Sequence, residues 1–257
     1  MELNHISFAY QKDRPILKNI DYSLIEGKVT TIIGPNGSGK STLLGIMARH
    51  LRQDQGEVIL DGKSIHLYKG KEFAKKVAIV NQHNSAPNDL TVETLLGYGR
   101  LPYRSFFSSP DKEKEDEVID WALKVTNIAH KRRHKIDQLS GGERQRVWIA
   151  MSLAQQTPIL FLDEPTTFLD VYHQYEILEL VKEINEEHDI TIVMVLHDIN
   201  QAIKYSDEVV VMKQGRIFAK GDPNEIITAD LMREVYGIEV MVKEEKSLGL
   251  YTIPIGI

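Results

Sequence analysis

The chain has 257 residues, 42% of them hydrophobic, and is long enough to bury a substantial core. Its formal net charge of −6 gives no support for nucleic-acid binding, which usually shows as a basic domain, and the absence of cysteine excludes disulfides and thiolate metal sites. The sequence shows no signal-peptide start and no apolar run of the ~20 residues that a membrane-spanning helix needs. We therefore expect a soluble protein, for which any membrane role must come through a partner.

Two early strands are predicted at residues 3–10 and 20–25, joined by a polar turn over residues 11–15. Because the connection is short, we expect these strands to pair antiparallel. A third strand, at residues 29–33, is a continuous apolar and β-branched run, and a helix-like run follows at residues 43–49.

The stretch between this strand and this helix fits the phosphate-binding pattern G-x-x-x-x-G-K-[ST]. Its residues are Gly34, Pro35, Asn36, Gly37, Ser38, Gly39, Lys40, Ser41 and Thr42. Glycines let backbone N–H groups turn toward phosphate oxygens, and the following helix directs its positive end at the same anion. Lys40 is placed to reach the β- and γ-phosphates, and the Ser41 hydroxyl can bind Mg²⁺. The flanking strand and helix favour a nucleotide-binding loop over a chance glycine-rich turn.

The middle of the chain changes character, because residues 91–135 contain no convincing strand. Residues 111–125 predict a charged amphipathic helix. Its predicted apolar face consists of Val118, Trp121, Ala122 and Val125. An apolar and basic loop, residues 99–107, precedes this helix. We interpret the region as a helical subdomain, at about residues 84–157, inserted in the core of a single domain that spans residues 1–257.

Strands and helices alternate in the rest of the chain. Further strands are predicted at residues 56–62, 76–80, 158–162, 190–196, 208–212 and 215–219. Further helices are predicted at residues 139–156, 171–187 and 224–236, with another one ending near residue 205 and one or two edge strands in the tail. This alternation predicts an α/β fold with a mostly parallel sheet, preceded by an antiparallel β subdomain.

Reactive side chains follow two of the predicted buried strands. Asp163 and Glu164 end one of them, and in parallel sheets the carboxyl ends of the strands face the ligand. Asp163 fits the role of holding Mg²⁺ through water, and Glu164 could polarise a water for in-line attack on the γ-phosphate. Two adjacent acids can also simply end a strand and cap a helix, but the phosphate loop favours the catalytic interpretation. His197 ends the next strand; such a histidine is often structural, yet near a γ-phosphate a phosphate contact is favoured.

The segment from Ser140 to Glu143 supports two compatible interpretations. It fits a capping box, with Ser140 at the N-cap and Glu143 at the third helical position, which explains a helix start without any ligand. Gly141 and Gly142 would also expose backbone N–H groups to an anion at the same helix start.

These residues together carry a resemblance to the ATP-binding-cassette (ABC) ATPases. Leu139 to Glu143 resembles the signature motif of that family. The phosphate loop, Gln82 after its strand, the Asp163-Glu164 pair, Asp170 and His197 complete the ordered set of family motifs, over nearly the whole chain. The fold implied is a P-loop NTPase of the ABC type.

The resemblance implies more than the residues alone. It implies two nucleotide-binding domains that meet head to tail around two ATP molecules. We expect these domains to be two copies of this chain, although a pair with a paralogue stays open. Ser140, Gly141, Gly142 and Glu143 would face the ATP held by the partner, and Asp170 would couple the two sites. Tyr10 would stack on adenine, although it could be an ordinary strand-end aromatic, and Gln82 would sense Mg²⁺ and the attacking water. The implied cofactors are ATP and Mg²⁺.

The segments 164–170 and 99–103, with His173 and Gln174, are similar to the ATPases of ferric-siderophore importers. This resemblance implies an ATPase at the cytoplasmic face of the membrane that drives a polytopic permease, with an external substrate-binding protein as an indirect partner. Haem or cobalamin import and a non-transport role, such as a scaffold ATPase for iron–sulphur assembly, stay open as alternatives.

Overall fold

In the computed structural model, which describes residues 1–11, 14–104, 111–246 and 249–257, the chain folds as two units. Unit 1 comprises residues 1–67 and 191–257, and unit 2 comprises residues 68–190. Part of the predicted polar turn (residues 12 and 13) and part of the predicted apolar loop (residues 105–107) lie outside the described residues.

Unit 1 contains an antiparallel sheet. Its strands are β1 (Glu2–Gln11), β2 (Arg14–Ser23), β4 (Gln55–Leu60) and β5 (Lys63–Ser64), in the order β2-β1-β4-β5. β1 and β2 pair antiparallel, with Ile6 opposite Ile20, which confirms the predicted pairing. The predicted start of the second strand at residue 20 is wrong, because β2 extends back to Arg14 and still pairs with β1 there, with the fully buried Leu17 opposite Phe8 across a register shift.

Unit 1 also holds a largely parallel set of strands. They are β3 (Val29–Ile33), β8 (Thr191–Val195), β9 (Glu208–Lys213) and β10 (Arg216–Gly221). β3 pairs parallel with both β8 and β9, and β10 pairs antiparallel with β9. Every residue of β3 and β8 is buried, as the continuous β-branched runs predict for central parallel strands. The remaining elements of unit 1 are helices α1 (Lys40–Met47), α7 (Ile199–Tyr205), α8 (Pro223–Ile226) and α9 (Ala229–Tyr236), and the hairpin of β11 (Glu239–Glu245) and β12 (Gly249–Gly256).

Unit 2 is mostly helical. Its strands β6 (Val77–Val80) and β7 (Ile159–Asp163) pair parallel. Its helices are α2 (Gly70–Phe73), α3 (Val92–Gly99), α4 (Lys112–Val125), α5 (Gly141–Ala154) and α6 (Val171–His188). Within the described part of residues 91–135, the structure has helices and an isolated bridge between Thr91 and Lys135, but no strand.

The predicted apolar face of α4 is wrong by about one residue. The buried residues of this helix are Ile119, Ala122 and Leu123, whereas Val118 and Val125 are only half-buried. Successive helical residues are about 100° apart, so a stripe centred one position later turns a different face toward α5. The sequence is compatible with either apolar face, and only the packing of the helix selects the one that contains Ile119 and Leu123.

Arg100, in the predicted apolar and basic loop, is a buried structural residue. Its Nη1 donates to the carbonyl oxygen of Ala154 at 2.8 Å and to Oε1 of Gln156 at 2.9 Å, at the end of α5. Its Nε lies 3.3 Å from Oε1 of Glu115, and the guanidinium lies 4.1 Å from the ring centroid of Tyr103. One side chain therefore connects the end of α3 to the start of α4 and to the end of α5.

We expect Arg100→Ala to lower the free energy of unfolding by about 3 kcal/mol, because removing one partner of a buried ion pair leaves the other partner poorly compensated. Glu115 keeps its contact with Arg104, at 2.9 Å, so the loss should fall at the low end of the range for such pairs. Denaturant unfolding measures it, with the exposed Arg133→Ala as a control that should stay within about 0.5 kcal/mol of wild type. Equal stabilities of the two variants would contradict this role of Arg100.

Candidate functional site

The glycine-rich loop after β3 needs its glycines for backbone reasons. Gly34, Gly37 and Gly39 have φ angles of +149°, +77° and +104°, a region that residues other than glycine rarely adopt. A Cβ on Gly34 would lie 2.3 Å from the carbonyl oxygen of Met212. Gly39 is the N-cap of α1, so the loop runs directly into the positive end of that helix.

Two polar side chains of this loop fit a polyanionic ligand. Lys40 is buried, and its Nζ donates to the carbonyl oxygens of Gly34 at 2.8 Å and Pro35 at 3.2 Å. The hydroxyl of Ser38 is buried and has no hydrogen-bond partner within the described residues. Buried hydroxyl groups are almost always paired in native proteins, so this one fits a donor to a phosphate oxygen. The loop therefore offers a backbone shape, a positive charge and an unpaired hydroxyl that fit the phosphates of a nucleoside triphosphate.

Unit 1 brings two other predicted residues toward this loop. Tyr10 is 63% exposed, and its hydroxyl lies 3.5 Å from Oγ1 of Thr42 in α1, which leaves its ring accessible for stacking. His197 is exposed and follows β8, which pairs parallel with β3 and places Val195 opposite Ile32. His197 and the phosphate loop thus leave neighbouring strands at the same end of the sheet.

Unit 2 brings Gln82 and Glu164 into direct contact. β6 and β7 pair with Val80 opposite Leu162, so both residues leave their strands at the same end. Nε2 of Gln82 donates to Oε2 of Glu164 at 2.5 Å, and the hydroxyl of Thr167 donates to the same oxygen at 3.0 Å. Two donors therefore fix the orientation of the Glu164 carboxylate, and Asp163 lies directly before it at the end of β7.

The backbone of Glu164 has a φ angle of +52°, in the left-handed region that is uncommon for residues other than glycine. Such strained positions persist only where the surroundings impose them, and they cluster at functional sites. Thr167 was missed by the sequence analysis, because a hydroxyl three residues after an acid is too common to be informative without the turn that returns it to Glu164.

The predicted capping box at the start of α5 is confirmed. The hydroxyl of Ser140 accepts a hydrogen bond from the backbone N–H of Glu143 at 3.2 Å, and Oε2 of Glu143 accepts one from the backbone N–H of Ser140 at 2.9 Å. The Ser140 N–H and the neighbouring Lys131 hold the pKa of Glu143 below its usual range. Glu143 therefore stays ionised as a structural cap, and the role of this segment toward a partner's ATP stays a prediction.

Asp170 caps the next helix of unit 2. Its Oδ1 accepts the backbone N–H of His173 at 3.0 Å and lies 2.8 Å from Nδ1 of the same histidine. These two donors lower the pKa of the exposed Asp170 carboxyl, so it carries a full charge at neutral pH.

Candidate Mg²⁺ ligands are present in both units: the Ser41 hydroxyl in unit 1, and the side chains of Gln82 and Asp163 in unit 2. Their oxygen atoms are the ligand type that this hard cation prefers. Among the described residues, no group of three or more His, Cys, Asp or Glu side chains forms a cation site by itself.

Three features together define an ATPase of the ABC type. They are a phosphate loop between a buried strand and a helix, a strand that ends in Asp163 and Glu164 with Gln82 bonded to the glutamate, and two glycines that follow the N-cap of a helix. Residues 17–167 match the family described as ABC transporter, and this chain belongs to that family. The predicted family, fold class and ATPase activity are thereby confirmed.

Several relatives are similar along most of their length. The petrobactin import ATP-binding protein FpuC of Bacillus anthracis is 46% identical over 98% of this chain and 92% of that protein. The iron(3+)-hydroxamate import ATP-binding protein FhuC of Bacillus subtilis is 45% identical over 90% of this chain and 85% of that protein. A solved dimeric cassette, MJ0796, is 31% identical over 86% of this chain and 98% of that chain, with a TM-score of 0.75.

In the part of the chain that the structure describes, none of the helices has both the length and the apolar character needed to cross a membrane.

Proposed function

We propose that this chain is the ATP-hydrolysing subunit of a ferric-siderophore importer. The observation that carries the proposal is the 46% identity, over 98% of this chain, to a protein named for petrobactin import. A second relative, 45% identical, is named for iron(3+)-hydroxamate import, so similarity extends to two chemically different ferric siderophores. Siderophore import is therefore the shared class, and the individual compound is not selected by this similarity.

In the proposed ATPase, the phosphate loop holds the triphosphate through its backbone N–H groups and Lys40, and the exposed ring of Tyr10 stacks on adenine. Glu164 polarises the attacking water, with its carboxylate oriented by Gln82, and His197 contacts the γ-phosphate. Mg²⁺, held by Ser41, Gln82 and Asp163, would neutralise phosphate charge when bound.

We further propose that the working form is a head-to-tail pair of nucleotide-binding domains, most simply two copies of this chain. The solved cassette MJ0796, at 31% identity, is described as dimeric, which supports this arrangement. Ser140, Gly141, Gly142 and Glu143 would face the ATP of the partner, and Asp170 would couple the two sites. ATP would favour the closed pair because its phosphates contact both subunits, and hydrolysis would release it.

The transporter would contain a polytopic permease and receive its cargo from an external binding protein, with this subunit at the cytoplasmic face of the membrane. Residues 1–257 would form one nucleotide-binding domain, in which the helical subdomain at about residues 84–157 receives the permease. Helices α3, α4 and α5 of unit 2 fall within this range, which supports the proposal.

The test is uptake by the source cells of labelled ferric siderophores, haem and cobalamin, with the chromosomal copy replaced by wild type, by Glu164→Gln, or by the surface control Arg133→Ala. We expect Glu164→Gln to abolish uptake of one or more ferric siderophores and Arg133→Ala to retain it, because import requires hydrolysis. Selective loss of haem or cobalamin uptake would overturn the assignment of ferric siderophores as the transported compounds. Retained uptake of every compound, with active purified wild-type ATPase, would overturn the import role.

A further inference from the structure

In unit 2, the imidazole of His173 fills the space beside Gly142. A Cβ built on Gly142 would lie 2.5 Å from Cδ2, 3.1 Å from Cγ and 3.4 Å from Cβ of His173. Gly142 lies within α5, where alanine is normally a better helix former than glycine. The neighbouring Gly141 is different, since a Cβ there would meet only the Leu169 side chain at an ordinary 3.5 Å. The ring of His173, and not the backbone conformation, therefore excludes a side chain at position 142.

The ring is held against Gly142 by contacts on its other edges. Its Nδ1 lies 2.8 Å from Oδ1 of Asp170, and because a carboxylate only accepts hydrogen bonds, Nδ1 is the donor. Its Nε2 lies 4.0 Å from Oε2 of Glu176, whose other oxygen pairs with Arg146 of α5 at 3.2 Å. The ring cannot move away from Gly142 without losing the hydrogen bond to Asp170.

His173 therefore joins two segments that the proposed mechanism uses separately. Gly142 lies at the start of α5, next to the Ser140 cap, and Asp170 caps the start of α6. Both helix starts are proposed to act on the same partner subunit, so their separation and orientation affect closure at both places. A single imidazole that occupies the space beside one segment and is hydrogen-bonded to the other limits how closely the two can approach.

We propose that His173 is a positioning residue that fixes Asp170 relative to the signature motif, and that Gly142 is required because of this imidazole. The inference rests on the proposed ATPase mechanism for its kinetic consequence, but its steric part is independent of it. His173 does not itself touch nucleotide in this role. It acts on the turnover step through the placement of Asp170 and of residues 140–142.

The test uses the full chain with His173→Ala, Gly142→Ala and the double variant. We expect His173→Ala to lower kcat by about tenfold, because small displacements of catalytic elements cost large factors in rate. The KM for ATP should change less than about twofold, since Lys40 and the other phosphate-loop residues in unit 1 are untouched. His173→Asn should recover most of kcat, because its amide atoms can occupy the positions of Nδ1 and Cδ2.

Gly142→Ala should lower kcat further than His173→Ala does, whereas the double variant should return to the level of His173→Ala, because the alanine methyl then has room. Melting temperature should follow the same order: Gly142→Ala loses about 3–6 °C through overpacking, and the double variant recovers most of it. Gly141→Ala is the matched stability control and should not lose melting temperature.

A double variant that stays as inactive as Gly142→Ala, in a background where wild type hydrolyses ATP, would overturn the inference and leave the proposed function intact. The inference would also fail if His173→Ala raised KM with kcat unchanged, or if His173→Asn behaved like His173→Ala. Wild type without ATPase activity would instead contradict the proposed function, and the melting temperatures would still decide the steric relation between positions 142 and 173.

Discussion

Glu164→Gln is expected to reduce the ATPase rate by at least about 100-fold, the contribution typical of a general base. The replacement has the same size and keeps an oxygen that can accept the hydrogen bonds of Gln82 and Thr167, so the fold around it should be retained. It removes the carboxylate charge that would polarise the attacking water. ATP binding should persist, because the phosphate loop lies in residues 34–42 and is unchanged.

Phosphate release by the purified protein measures the rate, and binding of labelled ATP measures retention. The exposed Glu187→Gln makes the same chemical change on the surface of α6 and should hydrolyse ATP like wild type. Light scattering with ATP should show Glu164→Gln as a trapped dimer. More than about 10% of wild-type turnover would exclude Glu164 as the base, given the factors that general bases supply. A variant that stays monomeric with ATP would refute the dimer for the isolated subunit.

The elements with strong local signals could be predicted from the sequence. β3 was predicted with its bounds, because five consecutive apolar or β-branched residues before a glycine-rich loop leave little choice. The capping box of α5 was also predicted in full, since all its atoms belong to four consecutive residues. In such places the chain's local preferences and its tertiary structure agree.

Features that depend on distant contacts could not be predicted in the same way. The sequence predicts only an apolar and basic loop at Arg100, but the structure buries this side chain against the carbonyl oxygen of Ala154, 54 residues away. The contact between His173 and Gly142 likewise requires α5 and α6 to pack side by side. Propensity and periodicity describe single elements, whereas these contacts arise only after the elements are packed.

The candidate site divides in the same way. Motif spacing identified the phosphate loop and Glu164, because each is a short pattern with a known chemical purpose. The second donor to Glu164, from Thr167, and the left-handed backbone of Glu164 are properties of the folded turn. Sequence motifs therefore predict which groups should carry the chemistry, while the geometry that orients those groups required the structure.

Lys40→Ala is expected to weaken ATP binding by about 10- to 100-fold, the value of a hydrogen bond to a charged group. The two loop carbonyls, of Gly34 and Pro35, hold the ammonium group inside the phosphate loop, so its placement requires little further ordering when the triphosphate binds. Removing the side chain takes away a buried positive charge next to the proposed β- and γ-phosphate positions. Turnover should fall at least as much as binding, because the same charge would stabilise the transferred phosphoryl group.

Titration with a fluorescent ATP analogue measures the affinity, and circular dichroism verifies that the variant is folded. Lys40→Met keeps most of the aliphatic stem and should lose affinity to a similar extent, which separates the charge from the packing of the stem. The exposed Lys243→Ala in β11 removes one positive charge elsewhere and should bind ATP like wild type. If Lys40→Ala and Lys40→Met both kept wild-type affinity and turnover, the ammonium group would have no role toward the phosphates. The buried hydroxyl of Ser38, which has no hydrogen-bond partner within the described residues, would then be the next side-chain donor of the loop to test.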